Sequence, residues 1–129
     1  MRKRSADGAG GSRLPNVISN FLAFLLSFAV VTGVPAPSHC PPEHPACRET
    51  VGPIVYVERV DPDGDGDAHF VIRDPQGITL PGLTAIDVRK GLRPHPLPGP
   101  GDVVSAAGPV QTGSYGQHQI HALELHVAR

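Results

Sequence analysis

Apolar and polar residues alternate in short runs over the second half of the chain, which is the period expected of half-buried β-strands. The clearest runs are residues 54–60 (IVYVERV) and 68–73 (AHFVIR), both rich in β-branched and aromatic side chains. The Asp- and Gly-rich stretch that separates them is typical of a tight turn. The pattern therefore predicts a β-hairpin over residues 54–73.

The same alternation predicts three further strands, at residues 78–88 with a break at Pro81-Gly82, at 102–107 and at 119–127. Five strands in so short a stretch must close, or nearly close, to hide their edges. We therefore expect an all-β fold, a five-stranded barrel over residues 54–129. One face of each strand should point inward, and the candidate core residues are Ile54, Val55, Tyr56, Val57, Phe70, Val71, Ile72, Val103, Val104, Leu123, Leu125 and Val127.

The N-terminal part of the chain has a different pattern. Residues 17–34 (VISNFLAFLLSFAVVTGV) carry no charge and follow a basic stretch with Arg2, Lys3, Arg4 and Arg13, which is the order of an export signal. Small residues around Ala36 permit cleavage, although Pro37 would adjoin the cut bond. We predict that residues 1–36 are a signal peptide or an uncleaved membrane anchor in helical form. Either way, the following domain lies outside the cytoplasm.

Residues 37–53 are rich in proline and contain both cysteines, so we interpret them as an extended tether between the export segment and the barrel. An exported chain with two nearby cysteines favours a disulfide between Cys40 and Cys47. The alternative is a metal site that adds His39 and His44. The prolines between these residues oppose the closed tetrahedron that such a site needs.

Composition narrows the function classes. Fifteen glycines and fifteen prolines argue against long helices. From Pro37 onward, seven basic and eleven acidic residues give a net charge of −4, and aromatic side chains are few. A phosphate backbone requires basic surface and stacking platforms, so nucleic acid is disfavoured as a partner.

The turn of the first hairpin contains a possible calcium site. Four aspartates stand at alternate positions, Asp61, Asp63, Asp65 and Asp67, and Gly66 falls where a calcium loop turns sharply. Position 12 of such a loop would be Ile72 rather than a carboxylate, and both flanks are predicted strands. Calcium is the only cofactor that the sequence suggests, and a plain hairpin turn remains the alternative.

No catalytic residues can be assigned. His118, His121 and His126 fall in one predicted strand, where residues three apart point to opposite faces, so His118 and His121 cannot share a metal. We interpret all three as solvated or edge histidines. No serine or cysteine nucleophile can be matched to a base by spacing.

Several short motifs together resemble the OB-fold family of small five-stranded barrels. They are Gly52-Pro53-Ile54-Val55, the Asp-Gly-Asp turn before His69-Phe70-Val71-Ile72, Pro100-Gly101-Asp102-Val103-Val104, and Gly108-Pro109-Val110. The likeness covers residues 51–129. It implies a binding platform, because this fold hosts many unrelated activities. We therefore expect an exported, non-catalytic binding module whose partner is an extracytoplasmic protein or a small ligand, with membrane contact through the N-terminal segment if that is retained.

Thermonuclease-like proteins form one enzymatic family with this fold, and the chain is similar to them at two places. Asp63-Gly64-Asp65 matches part of their Asp-Gly-Asp-Thr turn, and Ala85-Ile86-Asp87 matches part of their Gly-Ile-Asp-Ala-Pro-Glu segment. The threonine and the Pro-Glu pair are missing, so the family's acidic catalytic residue has no counterpart. A divergent metal-dependent hydrolase is the alternative function.

Overall fold

Six β-strands and one turn of 3-10 helix make up the described part of the chain. The computed structural model describes residues 33–58 and 64–128. The strands are β1 (Cys47–Glu58), β2 (Ala68–Arg73), β3 (Leu83–Val88), β4 (Val103–Thr112), β5 (His118–His121) and β6 (Glu124–Ala128), and the 3-10 turn spans Lys90–Leu92.

Five of the strands form a closed ring. Their order is β1, β2, β3, β5, β4, and pairing between β1 and β4 closes the ring. All neighbours are antiparallel except β3 and β5, which run parallel. The sixth strand, β6, lies outside the ring and pairs with the first half of β4.

Two long strands turn the corners of the barrel. The first half of β1 pairs with β4 and its second half with β2, with an irregularity between Ile54 and Tyr56. Glycine is required at each corner: a Cβ on Gly52 would overlap the carbonyl oxygen of Arg73, and one on Gly108 would overlap that of His121. These close backbone approaches explain why the OB-like motifs contain glycine there.

The core fills the ring with side chains from the inward face of each strand. Phe70 and Ile72 of β2 alternate with outward residues, and both are fully buried. The core cluster consists of Ile54, Val57, Ala68, Phe70, Ile72, Ile86, Val88, Val104, Ala106 and Ala122. The expected core residues Leu125 and Val127 pack against it partly, whereas Tyr56 is 58% exposed on the outer face.

A buried carboxylate holds the turn between β2 and β3. Asp74 accepts hydrogen bonds from Thr50 Oγ1 and Thr84 Oγ1, both at 2.7 Å, and from the backbone amide of Gln76 at 2.9 Å. Burial alone would raise the pKa of Asp74, but these hydrogen bonds together lower it below its usual value. The side chain thus joins β1 and β3 through a single ionised group.

The segment before β1 packs along β4 and β6. Ser38 Oγ lies 2.9 Å from Ser105 Oγ, Ser105 Oγ donates to the Ala36 carbonyl at 2.6 Å, and the His39 amide donates to Glu124 at 2.7 Å. Ser38 is buried by these contacts. This stretch, which falls largely within the predicted tether, is therefore ordered against the barrel.

The all-β architecture and the five-stranded ring agree with the prediction from the sequence. Several strand boundaries differ. β3 begins at Leu83 rather than at Ile78, and β4 continues to Thr112 because residues 110–112 pair with β5. β1 begins at Cys47 rather than at Ile54, because residues 47–53 pair with β4. The predicted strand 119–127 is two strands, because the chain changes its partner strand near Ala122. The Ala122 amide still donates to the Asp87 carbonyl of β3, whereas the next amide, that of Leu123, donates to the Ala107 carbonyl of β4.

Residues 1–32 of the predicted export segment lie outside the described residues, and its last four, residues 33–36, are not helical. Within the ranges given above, no helix has the length and apolar character needed to cross a membrane.

Candidate functional site

Acidic and histidine side chains alternate across four neighbouring strands on the outer face of the barrel. In the strand register, Glu58 of β1 is opposite His69 of β2, His69 is opposite Asp87 of β3, and Asp87 is beside His121 of β5. Residues paired in this way present their side chains on the same face of a sheet. We call these four residues the carboxylate–histidine row.

The members of the row contact one another in sequence. His69 Nδ1 lies 3.1 Å from Glu58 Oε2, and His69 Nε2 lies 3.1 Å from Asp87 Oδ1. The second oxygen, Asp87 Oδ2, lies 2.8 Å from His121 Nδ1. Asp87 is thus placed between two imidazoles, while His69 is placed between two carboxylates.

Asp87 is the most buried member of the row. It is 4% exposed, although it lies on the outer face, because the two imidazoles and the adjoining loops cover it. Gln111 Nε2 of β4 donates a long hydrogen bond of 3.3 Å to Asp87 Oδ2. Asp87 Oδ1 is shielded from water and accepts no well-aligned hydrogen bond among the described residues, and His69 Nε2 contacts it at 3.1 Å.

The row stabilises a negative charge on Asp87 and a positive charge on His69. Burial favours the protonated form of Asp87, but its close contacts with His69 and then His121 lower its pKa below the usual value. The contact with Asp87 raises the pKa of His69, against the opposing effect of burial, and Glu58 adds to the rise. The favoured state is therefore an aspartate next to a protonated His69.

A cleft of about 280 Å³ opens over the row. Its walls are the loop between β1 and β2, which contributes Asp65 and Asp67, and the loop between β4 and β5, which contributes Gly113 and Ser114. The remaining lining residues are His69, Asp87, Gln111, Thr112, Gln119 and His121. None of the described residues that line it is lysine or arginine.

The β1–β2 loop brings a second carboxylate to Asp87. Burial, followed by the charges of Asp87 and Asp65, raises the pKa of Asp67 above its usual value, and the Asp67 carboxyl is close enough to hydrogen bond with Asp87 when protonated. The Asp67 amide donates to Asp65 Oδ1 at 2.8 Å, which holds the end of the loop. Three carboxylates therefore border one small volume.

Two other concave regions have their polar groups already paired. One, of about 360 Å³, is lined by Ser38, Asp74 and Ser105, whose side chains are hydrogen-bonded within the fold. The other, of about 440 Å³, lies beside Arg48 and Gln76, which hydrogen bond to each other at 2.9 Å. Of these three regions among the described residues, the cleft over the row is the one that brings three carboxylates and two histidines together.

The disulfide prediction is confirmed. Cys40 and Cys47 are bonded, with Cα atoms 5.8 Å apart, and close a short loop just before β1. A disulfide of this kind indicates an oxidising, non-cytoplasmic environment.

The calcium prediction stays a prediction. Asp61 and Asp63 lie outside the described residues, whereas Asp65 and Asp67 both line the cleft. Among the residues that the structure describes, no group of three or more histidine, cysteine, aspartate or glutamate side chains is arranged to hold a metal ion.

The sequence interpretation missed most of the row. His121 was grouped with His118 and His126 as a solvated or edge histidine, but it pairs with the buried Asp87; His118 is exposed, and His126 lies on the edge strand beside Glu124. The sequence indicated Asp87 as a possible site residue only through the similarity to thermonucleases. The available signal was that His69 and Asp87 both stand at outward positions of strands predicted to be neighbours.

Comparison of the sequence with protein-family models finds no matching family, and comparison with curated proteins finds no match.

Proposed function

We propose that the described domain is an OB-fold-like, non-catalytic binding module that acts outside the cytoplasm, either secreted or held by its N-terminal segment. Its ligand is an extracytoplasmic protein or a small molecule that places a polar group in the cleft over the carboxylate–histidine row. The observation that carries this proposal is the buried Asp87, held between two histidines at the floor of an open cleft.

The position of the cleft supports the assignment. A ring in which β1 pairs with both β2 and β4 is consistent with the OB-fold resemblance. OB-folds bind ligands on the face of strands 2 and 3, between the loops that join strands 1 to 2 and 4 to 5. The row crosses β2 and β3, and the same two loops border the cleft.

The free-energy cost of burying charged groups supports a role for the row beyond folding. Removing charges from water is unfavourable, and a buried ion pair is often no more stabilising than apolar residues of similar volume. Perturbed titratable groups gathered in a cleft are therefore characteristic of binding or catalytic sites. The described cleft presents acceptors and imidazoles but no nucleophile hydrogen-bonded to a base, which favours binding over catalysis.

The test is to map where small polar molecules bind. A chemically diverse fragment set is titrated into the full-length, disulfide-bonded protein in a nonionic detergent, and amide chemical shifts are followed by NMR. We expect the shifts to concentrate at Asp67, Asp87, Gln119 and His121.

Ser114→Trp should occlude the cleft and remove the response, because Ser114 is an exposed lining residue outside the row. Glu43→Trp adds the same bulk at a distant exposed position and serves as the control. Shifts that cluster elsewhere, or that survive Ser114→Trp, would reject the proposal.

One observation favours the hydrolase as a second candidate. Asp65 and Asp87, which belong to the two segments similar to thermonucleases, line the same cleft. However, Asp87 is followed by Val88, Arg89 and Lys90, so no glutamate is present to act as base. Calcium-dependent cleavage of single-stranded DNA that is lost in Asp87→Asn would replace the binding proposal with this one, and we expect no cleavage.

A further inference from the structure

The cleft over the row carries an excess of negative charge. Asp65, Asp67 and Asp87 border it, and Glu58 contacts the far side of His69. Among the described residues, Lys90 and Arg93 lie beside the β1–β2 loop at Gly66 and do not line the cleft. Among the described residues, Glu58, Asp67 and Asp87 together carry more negative charge than a protonated His69 offsets.

Two carboxylates meet at the floor of the cleft. Asp67 and Asp87 both line the cleft, and the negative charge of Asp87 disfavours ionisation of Asp67. Two like charges in one cleft are relieved by a proton or by another cation between them. The contact therefore has the chemistry of a cation subsite.

The surroundings of Asp87 Oδ1 are a second, independent indication of a cation subsite. The residue is more than nine-tenths buried and lines the cleft, yet this oxygen accepts no aligned hydrogen bond among the described residues. Buried carboxylate oxygens normally have such donors, and their absence is costly. His69 contacts this oxygen only as an ion pair at 3.1 Å. An N–H donor on a ligand in the cleft would give Asp87 Oδ1 the aligned hydrogen bond that it lacks.

Building on the proposed function, we propose that the ligand carries a small organic cation, an ammonium or guanidinium group, and that this group binds between Asp67 and Asp87. Both groups combine positive charge with N–H donors directed at carboxylate oxygens. A neutral hydroxyl supplies a donor without relieving the charge, and an anion is repelled. The side-chain amides of Gln111 and Gln119 supply further polar lining.

The same geometry makes binding dependent on pH. Among the described residues, the titratable groups that face the subsite are Glu58 from β1, His69 from β2, Asp87 from β3, His121 from β5, and Asp65 and Asp67 from the β1–β2 loop. Acidification protonates His69 and Asp67, whose pKa values are both raised, which adds positive charge and removes an acceptor. The cation should therefore bind more weakly at about pH 5 than at about pH 7.5, the interval in which histidines titrate.

The experiment compares four probes of the same length. Butylammonium, butylguanidinium, butanol and butyrate are titrated into the full-length, disulfide-bonded protein by NMR at low salt, because screening at high salt weakens charge interactions. We expect the two cations to shift the Asp67, Asp87 and His121 amides and to bind about tenfold more tightly than butanol or butyrate, a ratio typical of a single charge interaction at a partly exposed site.

Asp67→Asn should weaken cation binding by about fivefold, as expected for loss of one partly screened carboxylate. Glu43→Gln, an exposed carboxylate outside the cleft, should change nothing. Retained dispersion of the amide spectrum shows that each variant is folded.

Each outcome is decisive. Butanol or butyrate binding at the cleft as tightly as the cations would overturn the cation inference and leave the proposed function intact. Calcium binding there more tightly than both organic cations would replace the organic class with a metal. If no probe affects the cleft, the cation inference fails, and the fragment mapping decides separately whether the proposed function fails with it.

Discussion

Replacing Asp87 by asparagine should destabilise the domain and change the dependence of its stability on pH. The substitution preserves shape but removes the charge that two imidazoles contact, at 3.1 Å from His69 Nε2 and 2.8 Å from His121 Nδ1. An asparagine oxygen can still accept from His121. It cannot stabilise a protonated His69, which would keep Glu58 as its sole anionic contact in the row.

The magnitude follows from the contacts and their exposure. A hydrogen bond to a charged group contributes roughly 1.5–3 kcal/mol. The side chains of His69 and His121 are 26% and 29% exposed, so solvent screens part of each contact, and the amide is also easier to bury than the carboxylate. We therefore expect a net loss of about 2 kcal/mol, and for a domain of this size a fall in Tm of about 10 °C.

The pH profile gives the sharper test. Because the folded-state pKa of His69 is raised, its contribution is fully present below about pH 6.5 and is lost as the pH rises through the folded-state pKa. Because the folded-state pKa of Asp87 is lowered, its contribution is present above about pH 4 and is lost as the pH falls through the folded-state pKa. The row should stabilise the fold most between these limits.

Thermal unfolding followed by circular dichroism across this range measures both effects. The Tm difference between the wild type and Asp87→Asn should be largest at mildly acidic pH and should shrink in alkaline solution. Glu43→Gln is the control, because it neutralises an exposed carboxylate outside the row, and its Tm should match that of the wild type. A difference that is absent, or constant from acidic to alkaline pH, would refute the role assigned to the row.

Four further predictions test other parts of the molecule. Asp74→Asn weakens three hydrogen bonds to a buried carboxylate and should cost about 2 kcal/mol in chemical denaturation; full stability would show that the turn does not depend on it. Reduction of the Cys40–Cys47 disulfide should lower stability by about 2.5 kcal/mol for its short loop, and alkylation without reductant should label neither thiol. If the Asp-rich turn binds calcium with a Kd of about 0.3 mM, about 3 mM calcium should stabilise the fold by roughly 1.4 kcal/mol, and Asp63→Asn with Asp65→Asn should abolish this; an unchanged Tm leaves the plain turn. A reporter active only outside the cytoplasm, fused after the N-terminal segment, should be active, and a stable but silent fusion would remove the export prediction.

Short-range patterns were sufficient for the individual elements. Strand β2 was predicted over residues 68–73 and lies there, because alternation with period two is a local property of a strand that is apolar on one face. The disulfide was predictable for a similar reason: two cysteines seven positions apart have few other partners. The Pro- and Gly-rich loop before β4 was likewise evident from its composition.

Boundaries that depend on a partner strand were not predictable in this way. β1 extends back to Cys47 because β4 is there to pair with it, and Gly52 and Gly108 are needed because backbones cross closely at the corners. The last predicted strand divides near Ala122 because the chain changes its partner from β3 to β4.

The chain alone thus determined that this is a small, disulfide-bonded β-domain, and only the tertiary structure determined where its candidate site lies. Glu58, His69, Asp87 and His121 are separated by 11, 18 and 34 positions and share no motif. Alternation indicates on which face each side chain lies, but the residue that stands beside it is decided by strand register. The pairing of the strands in the closed ring fixes that register, and it places two acids and two histidines in one row.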